Sequence, residues 1–341
     1  MTRGLLERLA DGPVLGDGGY LLELERRGWV QAGPFTPEVS IEHPAALLEL
    51  HREFVRSGAE VLQALTFYAS EEKLATVGLA GRVDDINHAA VRIARQAADE
   101  AATAGGERPL VAGNLSLTWA YDPADPGSAD RVRKLFDRQL EVQVGEGIDF
   151  VIGETFSYLG EALLALERAL ATGLPTVITM SFEQPAAHAY EGESVGEVAR
   201  RLADAGADVV GVNCLRDPDR TLPLLVEMAT AVPGLRLAAQ PVAYRVTDAR
   251  PDFTSSPAFP FGLDAVTLTR AEMAVYAIAA RDAGVGLIGS CCGSAPHHVR
   301  AMAKAIGKLP AEDREWRSTT GRAMSAYEYY DHTETEAAPA S

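Results

Sequence analysis

Three cysteines carry the chemistry that stands out in this chain. Cys214 closes the apolar run Val209-Val210-Gly211-Val212-Asn213, and the adjacent pair Cys291-Cys292 closes Gly286-Leu287-Ile288-Gly289-Ser290. An odd count is too small for a disulfide framework in a protein of 341 residues, and a disulfide between neighbouring residues is strained. Thiols in a reducing compartment suit a metal instead. Zinc accepts thiolates in tetrahedral geometry, and a catalytic site uses three protein ligands and keeps the fourth position for substrate. Three thiolates leave such a site with a net charge of about −1, which damps Lewis acidity but still lowers the pKa of an incoming thiol. That combination favours alkyl transfer onto sulfur over hydrolysis by a metal-bound water. The plain alternative, three small buried hydrophobes, explains poorly why all three fall at the ends of apolar runs.

Those runs belong to a longer alternation. Eight apolar segments, Val14-Gly19, Glu60-Phe67, Leu110-Ser116, Phe150-Thr155, Thr176-Phe182, Val209-Cys214, Leu237-Ala243 and Gly286-Gly293, read as strands. Amphipathic stretches between them, such as Arg82-Ala102, Ala129-Val144, Gly160-Ala171, Val195-Ala205, Arg220-Thr230, Arg270-Ala283 and Pro296-Ile306, read as helices. Eight βα units predict a (β/α)8 TIM barrel over residues 1–308, a single domain with a short C-terminal extension over 309–341. A doubly wound open sheet is the architectural alternative. In the barrel all three cysteines sit at the C-terminal ends of strands six and eight, the face on which barrel enzymes build active sites. Asp17 and Glu154 end strands one and four and are expected on the same rim. Asp17 could otherwise be a turn residue and Glu154 a solvated charge. The segment Tyr244-Pro260, rich in Asp, Pro and Ser, is expected to be a long loop over that rim.

With these residues on the page, a family resemblance is visible. Gly211-Val212-Asn213-Cys214 and Gly289-Ser290-Cys291-Cys292-Gly293 resemble the paired zinc signatures of the homocysteine S-methyltransferases. Gly16-Asp17-Gly18-Gly19-Tyr20, Ala32-Gly33-Pro34-Phe35-Thr36-Pro37, Thr66-Phe67-Tyr68-Ala69-Ser70, Gln240-Pro241-Val242-Ala243-Tyr244 and Pro257-Ala258-Phe259-Pro260-Phe261-Gly262-Leu263 extend it toward the betaine branch, over about residues 7 to 308. The resemblance implies Zn2+ on Cys214, Cys291 and Cys292, with homocysteine as acceptor. A methyl group would pass from an onium donor, glycine betaine first, to the zinc-bound thiolate, giving methionine. It places Asp17 and Glu154 at the amino group of homocysteine, and gives a substrate-binding set of Asp17, Gly18, Gly19, Phe35, Thr66, Phe67, Tyr68 and Glu154.

Three residues depart from the branch. Phe35 stands where it has Trp, Thr155 where it has Tyr, and Ser290 where the family commonly has Gly. A weaker aromatic cage keeps sulfonium donors, S-methylmethionine or dimethylsulfoniopropionate, as the alternative. A non-catalytic zinc-stabilised barrel is the second alternative. His297 and His298 open a helix beside Cys292 and are expected to face solvent, outside the ligand set. The segment Ser181-Glu193, with Glu183, His188 and Tyr190, replaces a Gly-rich loop of the branch.

Composition bounds the rest. Acidic residues outnumber basic ones 48 to 31, a formal charge of −17, so nucleic acid and anionic membranes are poor partners. No apolar signal core opens the chain and no run approaches a membrane span, so a cytoplasmic enzyme is expected. Trp316, Tyr327, Tyr329 and Tyr330 in the extension allow a clasp on the barrel or on a second copy in a homo-oligomer.

Overall fold

A computed structural model describes residues 3–31, 36–182 and 187–309. The C-terminal extension from residue 310, Phe35 and Glu183 lie outside the described residues. Eight parallel strands, β1 (Val14–Leu15), β2 (Val61–Gln63), β3 (Leu110–Ser116), β4 (Phe150–Phe156), β5 (Thr176–Met180), β6 (Val209–Asn213), β7 (Leu237–Gln240) and β8 (Val285–Ile288), pair in the order β1-β8-β7-β6-β5-β4-β3-β2. This is the (β/α)8 barrel.

The helices are α1 (Leu5–Asp11), α2 (Leu21–Arg26), α3 (Val39–Glu42), α4 (Pro44–Arg56), α5 (Glu71–Ala75), α6 (Val83–Thr103), α7 (Ser128–Gly145), α8 (Leu159–Leu170), α9 (Val195–Asp204), α10 (Pro218–Ala231), α11 (Arg270–Asp282) and α12 (Pro296–Ala305). The seven helices read from the sequence agree to within two residues at each end. α4 is additional: Pro44 occupies its first turn, where no intrahelical N–H is needed, and Leu47, Leu50 and Phe54 bury one face. Among the described residues no helix is long and apolar enough to cross a membrane.

Side chains alternate across a strand, so residues two apart share the barrel interior. Val61, Ala112, Ile152, Val209 and Ala238 form an apolar layer inside the barrel, closed at its lower end by Leu5 and Leu9 of α1. Two residues further along the same strands stand Gln63, Asn114, Glu154, Gly211 and Gln240. The interior thus changes from apolar to polar toward the C-terminal ends of the strands.

The outer strands are shorter than the apolar runs that encode them. β1 ends at Leu15 and β2 at Gln63, and no ladder joins the two. The seam is held instead by Glu60 N–H donating to Leu15 O (2.8 Å), by Leu15 N–H donating to the Glu60 carboxylate (2.8 Å), and by Gln63 N–H donating to Asp17 Oδ2 (2.7 Å). A carboxylate at the rim therefore stands where a closed barrel would have a backbone acceptor.

Candidate active site

β7 continues as Gln240–Ala243 between the two cysteine loops and clamps both. Cys214 N–H donates to Gln240 O (2.9 Å), Cys291 N–H to Pro241 O (2.8 Å), and Ala243 N–H to Cys292 O (2.9 Å). Cys214 and Leu215 both have left-handed backbone angles, φ 56° and 53°, which turn the chain sharply at the end of β6. Gly293 combines φ 82° with a Tyr244 ring 2.6 Å from where a Cβ would lie, so only glycine fits there. As a result the three sulfurs lie within 4.8 Å of one another, with Cys292 Sγ 3.9 Å from both Cys214 Sγ and Cys291 Sγ.

Tetrahedral zinc with sulfur bonds of about 2.3 Å needs sulfurs about 3.8 Å apart. The donor set fits that ion. Among the described residues the cysteines form the group able to hold a metal, with no fourth His, Cys or carboxylate ligand joined to it. Without a cation, the other two thiols hydrogen-bond to Cys214 and stabilise its thiolate, and its pKa falls well below the thiol range. Their hydrogen bonds to that thiolate, together with burial and its negative charge, hold Cys291 and Cys292 well above the thiol range. The loop after β7 shields the cluster, as its composition suggested: Phe253 N–H donates to Leu215 O (3.1 Å) and its ring stacks on Tyr244 at 5.3 Å.

The sulfurs sit in a cleft with about 640 Å³ of space, counted to its open mouth, which Asp17 and Glu154 also line. Glu154 is gripped by side-chain amides of the polar layer. Gln63 Nε2 (2.6 Å) and Asn114 Nδ2 (2.5 Å) donate to Oε1, and Asn213 Nδ2 (3.1 Å) donates to Oε2. Asp17 accepts from Gln63 N–H and, through a short contact, from the Tyr20 hydroxyl. The hydroxyl proton being used, the neutral ring of buried His51 donates from Nδ1 to Tyr20 Oη (3.0 Å); burial drops the His51 pKa to about 3. Burial is also the main cause that raises Asp17 to about 7 and Glu154 to about 8, with nearby Cys214 and Asp17 adding to the latter. Two buried carboxyls with no cation beside them present the charge that an ammonium group complements.

The remaining residues singled out from the sequence separate into those at the cleft and those away from it. Gly18, Gly19, Phe67, Thr155 and Ser290 line it. The room left by the two glycines is taken by protein: a Cβ on Gly18 would lie 2.6 Å from Ser294 Oγ, and one on Gly19 would lie 2.7 Å from Cys291 O. We expect Gly19→Ala to displace the cysteine loop and weaken zinc affinity about 10- to 100-fold in a competitive chelator titration; unchanged affinity would show that the loop yields freely. Tyr68 packs on Phe67 at 4.2 Å. Thr66 faces away from the cleft, donating to Asn114 O (2.8 Å) and accepting from Gln143 (3.2 Å).

Thr155 Oγ1 and N–H both bond to Asn213, at 2.7 and 2.8 Å. The Ser290 hydroxyl is buried without a hydrogen-bond partner among the described residues. His298 corrects an expectation, because it is buried and not solvent-facing. Its Nδ1 accepts from Ala295 N–H (3.0 Å) and its Nε2–H donates to Leu268 O (2.8 Å), making it an internal cap that fixes the loop behind Cys292. In the loop after β5, His188 bridges to Ser194 and Tyr190 packs on Tyr158 at 5.0 Å. The amide layer around Glu154 and the Tyr20–His51 pair were not singled out from sequence. The period-2 step from an apolar interior residue to Gln63 or Asn114 was the available signal.

The sequence profile of homocysteine S-methyltransferases matches residues 14–306. The chain is 43% identical over 321 residues to betaine–homocysteine S-methyltransferase 1 of Bos taurus, covering 90% of this chain and 75% of that one. It is 39% identical over 314 residues to an S-methylmethionine–homocysteine S-methyltransferase of Pongo abelii, covering 89% and 81%. Among solved structures, the metallated homocysteine methyltransferase of Escherichia coli shares the fold with TM-score 0.70, at 23% identity over 87% of this chain and 98% of that one.

Proposed function

The chain belongs to the homocysteine S-methyltransferase family, and from that premise we propose that it moves a methyl group from glycine betaine to homocysteine, giving methionine and dimethylglycine. The observation that carries this reading is the three-sulfur cluster at a cleft whose other polar walls are two buried carboxyls. Cys214, Cys291 and Cys292 hold Zn2+ in the proposal. The ion supplies a fourth coordination position at which the substrate thiol is deprotonated near neutral pH.

Asp17 and Glu154 hold the ammonium of homocysteine. The amides of Gln63, Asn114 and Asn213 orient Glu154, while Tyr20, backed by His51, orients Asp17. Phe67 offers a ring face to the onium group, and Tyr68 packed on it helps to exclude water. In the transfer a sulfur lone pair forms the new S–CH3 bond as the C–N bond breaks, and its electron pair stays on the donor nitrogen. Two opposite charges vanish, so a dry, preorganised cleft favours the step over bulk water. A reducing compartment such as the cytoplasm would keep the three sulfurs available.

A sulfonium donor is the second reading, favoured by Thr155, whose short side chain is tied to Asn213 and presents no ring to the cleft. A purely structural zinc is disfavoured, since a closed site needs a fourth protein ligand and among the described residues none joins the three sulfurs. Incubating the zinc-loaded protein with homocysteine and, separately, betaine, dimethylsulfoniopropionate and S-methylmethionine decides among them. Methionine is expected with betaine above the others; methionine from none of the three rejects the reading.

A further inference from the structure

Among the described residues no Lys, Arg or His lines the cleft, and a buried cation lies against Tyr68, whose ring packs on the cleft-lining Phe67. Lys73 of α5 is only 5% exposed, and among the described residues its ammonium has neither a carboxylate nor a hydrogen-bond acceptor. Its contacts are two ring faces, Trp119 at 3.4 Å and Tyr68 at 4.3 Å from the ring centroids. Ring quadrupoles compensate only part of the hydration that an ammonium loses on burial. The desolvation lowers its pKa, as expected for a cation awaiting a counter-charge.

Both rings are themselves held at a cost. Tyr68 has φ 59° and Trp119 φ 64°, left-handed values that bulky residues rarely adopt. The turn at Tyr68 is fixed by its N–H donating to Ser116 Oγ (2.9 Å). The Tyr68 hydroxyl is desolvated by burial and lies near enough to the sulfur cluster to feel the Cys214 thiolate. Its ring thus spans the distance between the sulfur cluster and the ammonium. Arg216, the other buried cation near this rim, is already engaged, donating to Phe182 O (2.7 Å).

We propose that Lys73 determines donor specificity: its ammonium, held between Tyr68 and Trp119, pairs with the carboxylate of a zwitterionic methyl donor whose onium methyl points at the sulfurs. The inference rests on the methyl-transfer reading and adds to it the chemical class of the donor. An onium with an anionic group is preferred over one without, because the carboxylate of the former neutralises Lys73. Homocysteine is held by Asp17 and Glu154, so its binding does not involve Lys73.

The test compares zinc-loaded wild type, Lys73→Met, which keeps the length and packing of the stem, and Lys73→Arg, which keeps the charge. KM for betaine should rise about 10- to 100-fold in Lys73→Met, with kcat and the KM for homocysteine within about 2-fold, and Lys73→Arg should recover most of the loss. Turnover of trimethylsulfonium, which lacks a carboxylate, should not change. Equal losses with both donors, or a shift in the KM for homocysteine instead, overturn the proposal. Calorimetric titration of betaine reads the same pairing without turnover: an unchanged Kd in Lys73→Met also overturns it. Should wild type yield no methionine from any donor, the methyl-transfer reading fails, and the titration still decides whether Lys73 holds a carboxylate. If Lys73→Met does not fold, Lys73→Gln takes its place under the same criteria.

Discussion

Replacing Cys292 with alanine is expected to abolish stoichiometric zinc at micromolar protein and to cut methionine formation at least about 10³-fold. Cys292 Sγ is the sulfur 3.9 Å from each of the other two, so its loss leaves two donors and no tetrahedral frame. A structural zinc site gains about 10–16 kcal/mol from four ligands, or about 3 kcal/mol per sulfur, which is about two orders of magnitude in affinity for one deletion. Turnover should fall further, because the remaining pair no longer fixes where the substrate sulfur sits. Cys292 suits the test better than Cys214, because the Cys214 thiolate is also what its two neighbours hydrogen-bond to in the metal-free chain. Metal analysis after gel filtration checks the first half. One zinc per chain at wild-type affinity would remove the cysteines from the metal site.

Asp17→Asn should separate stability from function, with opposite signs. Asn keeps acceptors for the Tyr20 hydroxyl and for Gln63 N–H but loses the charge, so the KM for homocysteine should rise about 100-fold. Burial raises Asp17 from 3.8 to about 7 and Glu154 from 4.5 to about 8 in the metal-free, substrate-free chain. A carboxyl whose folded value lies above its unfolded one binds more protons when folded, so stability is highest at low pH. It is lost as pH rises from about 4 to about 8. For Asp17 the loss amounts to about 4 kcal/mol at full ionisation. The metal-free Asp17→Asn variant should therefore match wild type near pH 4 and exceed it by about 4 kcal/mol at pH 9. Denaturant melts at the two pH values measure this; a variant less stable than wild type at pH 9 would mean that the carboxylate is already compensated within the fold.

Such an inverted pH dependence is what a receptor for a cation requires. In the proposed reading, two carboxyls poised to ionise destabilise the empty cleft and stabilise the one that holds an ammonium, whose binding is offset in part by their ionisation. Lys73, as proposed, repeats the arrangement with the opposite sign on the donor side. In the proposed reading the two carboxyls at the cleft and the ammonium packed against Tyr68 flank the sulfur cluster with charges of opposite sign, one for each end of the substrate pair.

The barrel was legible in the sequence because its signals are local. Period-2 apolar runs, amphipathic helices and glycine after helix ends specify eight βα units without knowledge of any contact. The cysteines were legible for the same reason: a residue that closes a barrel strand must face the C-terminal rim, whatever the rest of the chain does. Asp17 and Glu154 could be placed on that rim by the same rule. The sequence alone could not show that the β1–β2 seam stays open and that Asp17 takes up a β2 amide there, because that pairing joins residues 46 positions apart. It could not show that His298 turns inward, because the acceptor at Leu268 comes from another βα unit. Nor could it show that Lys73 lies beneath Trp119, since an exposed lysine and a buried one read alike until the strands bring β2 and β3 together. Residue types and local period determined the architecture and the chemistry of the sulfur cluster. Burial and charge compensation, which set the pKa of a carboxyl or the partner of an ammonium, depend on neighbours distant in the chain, and only the tertiary structure decided them.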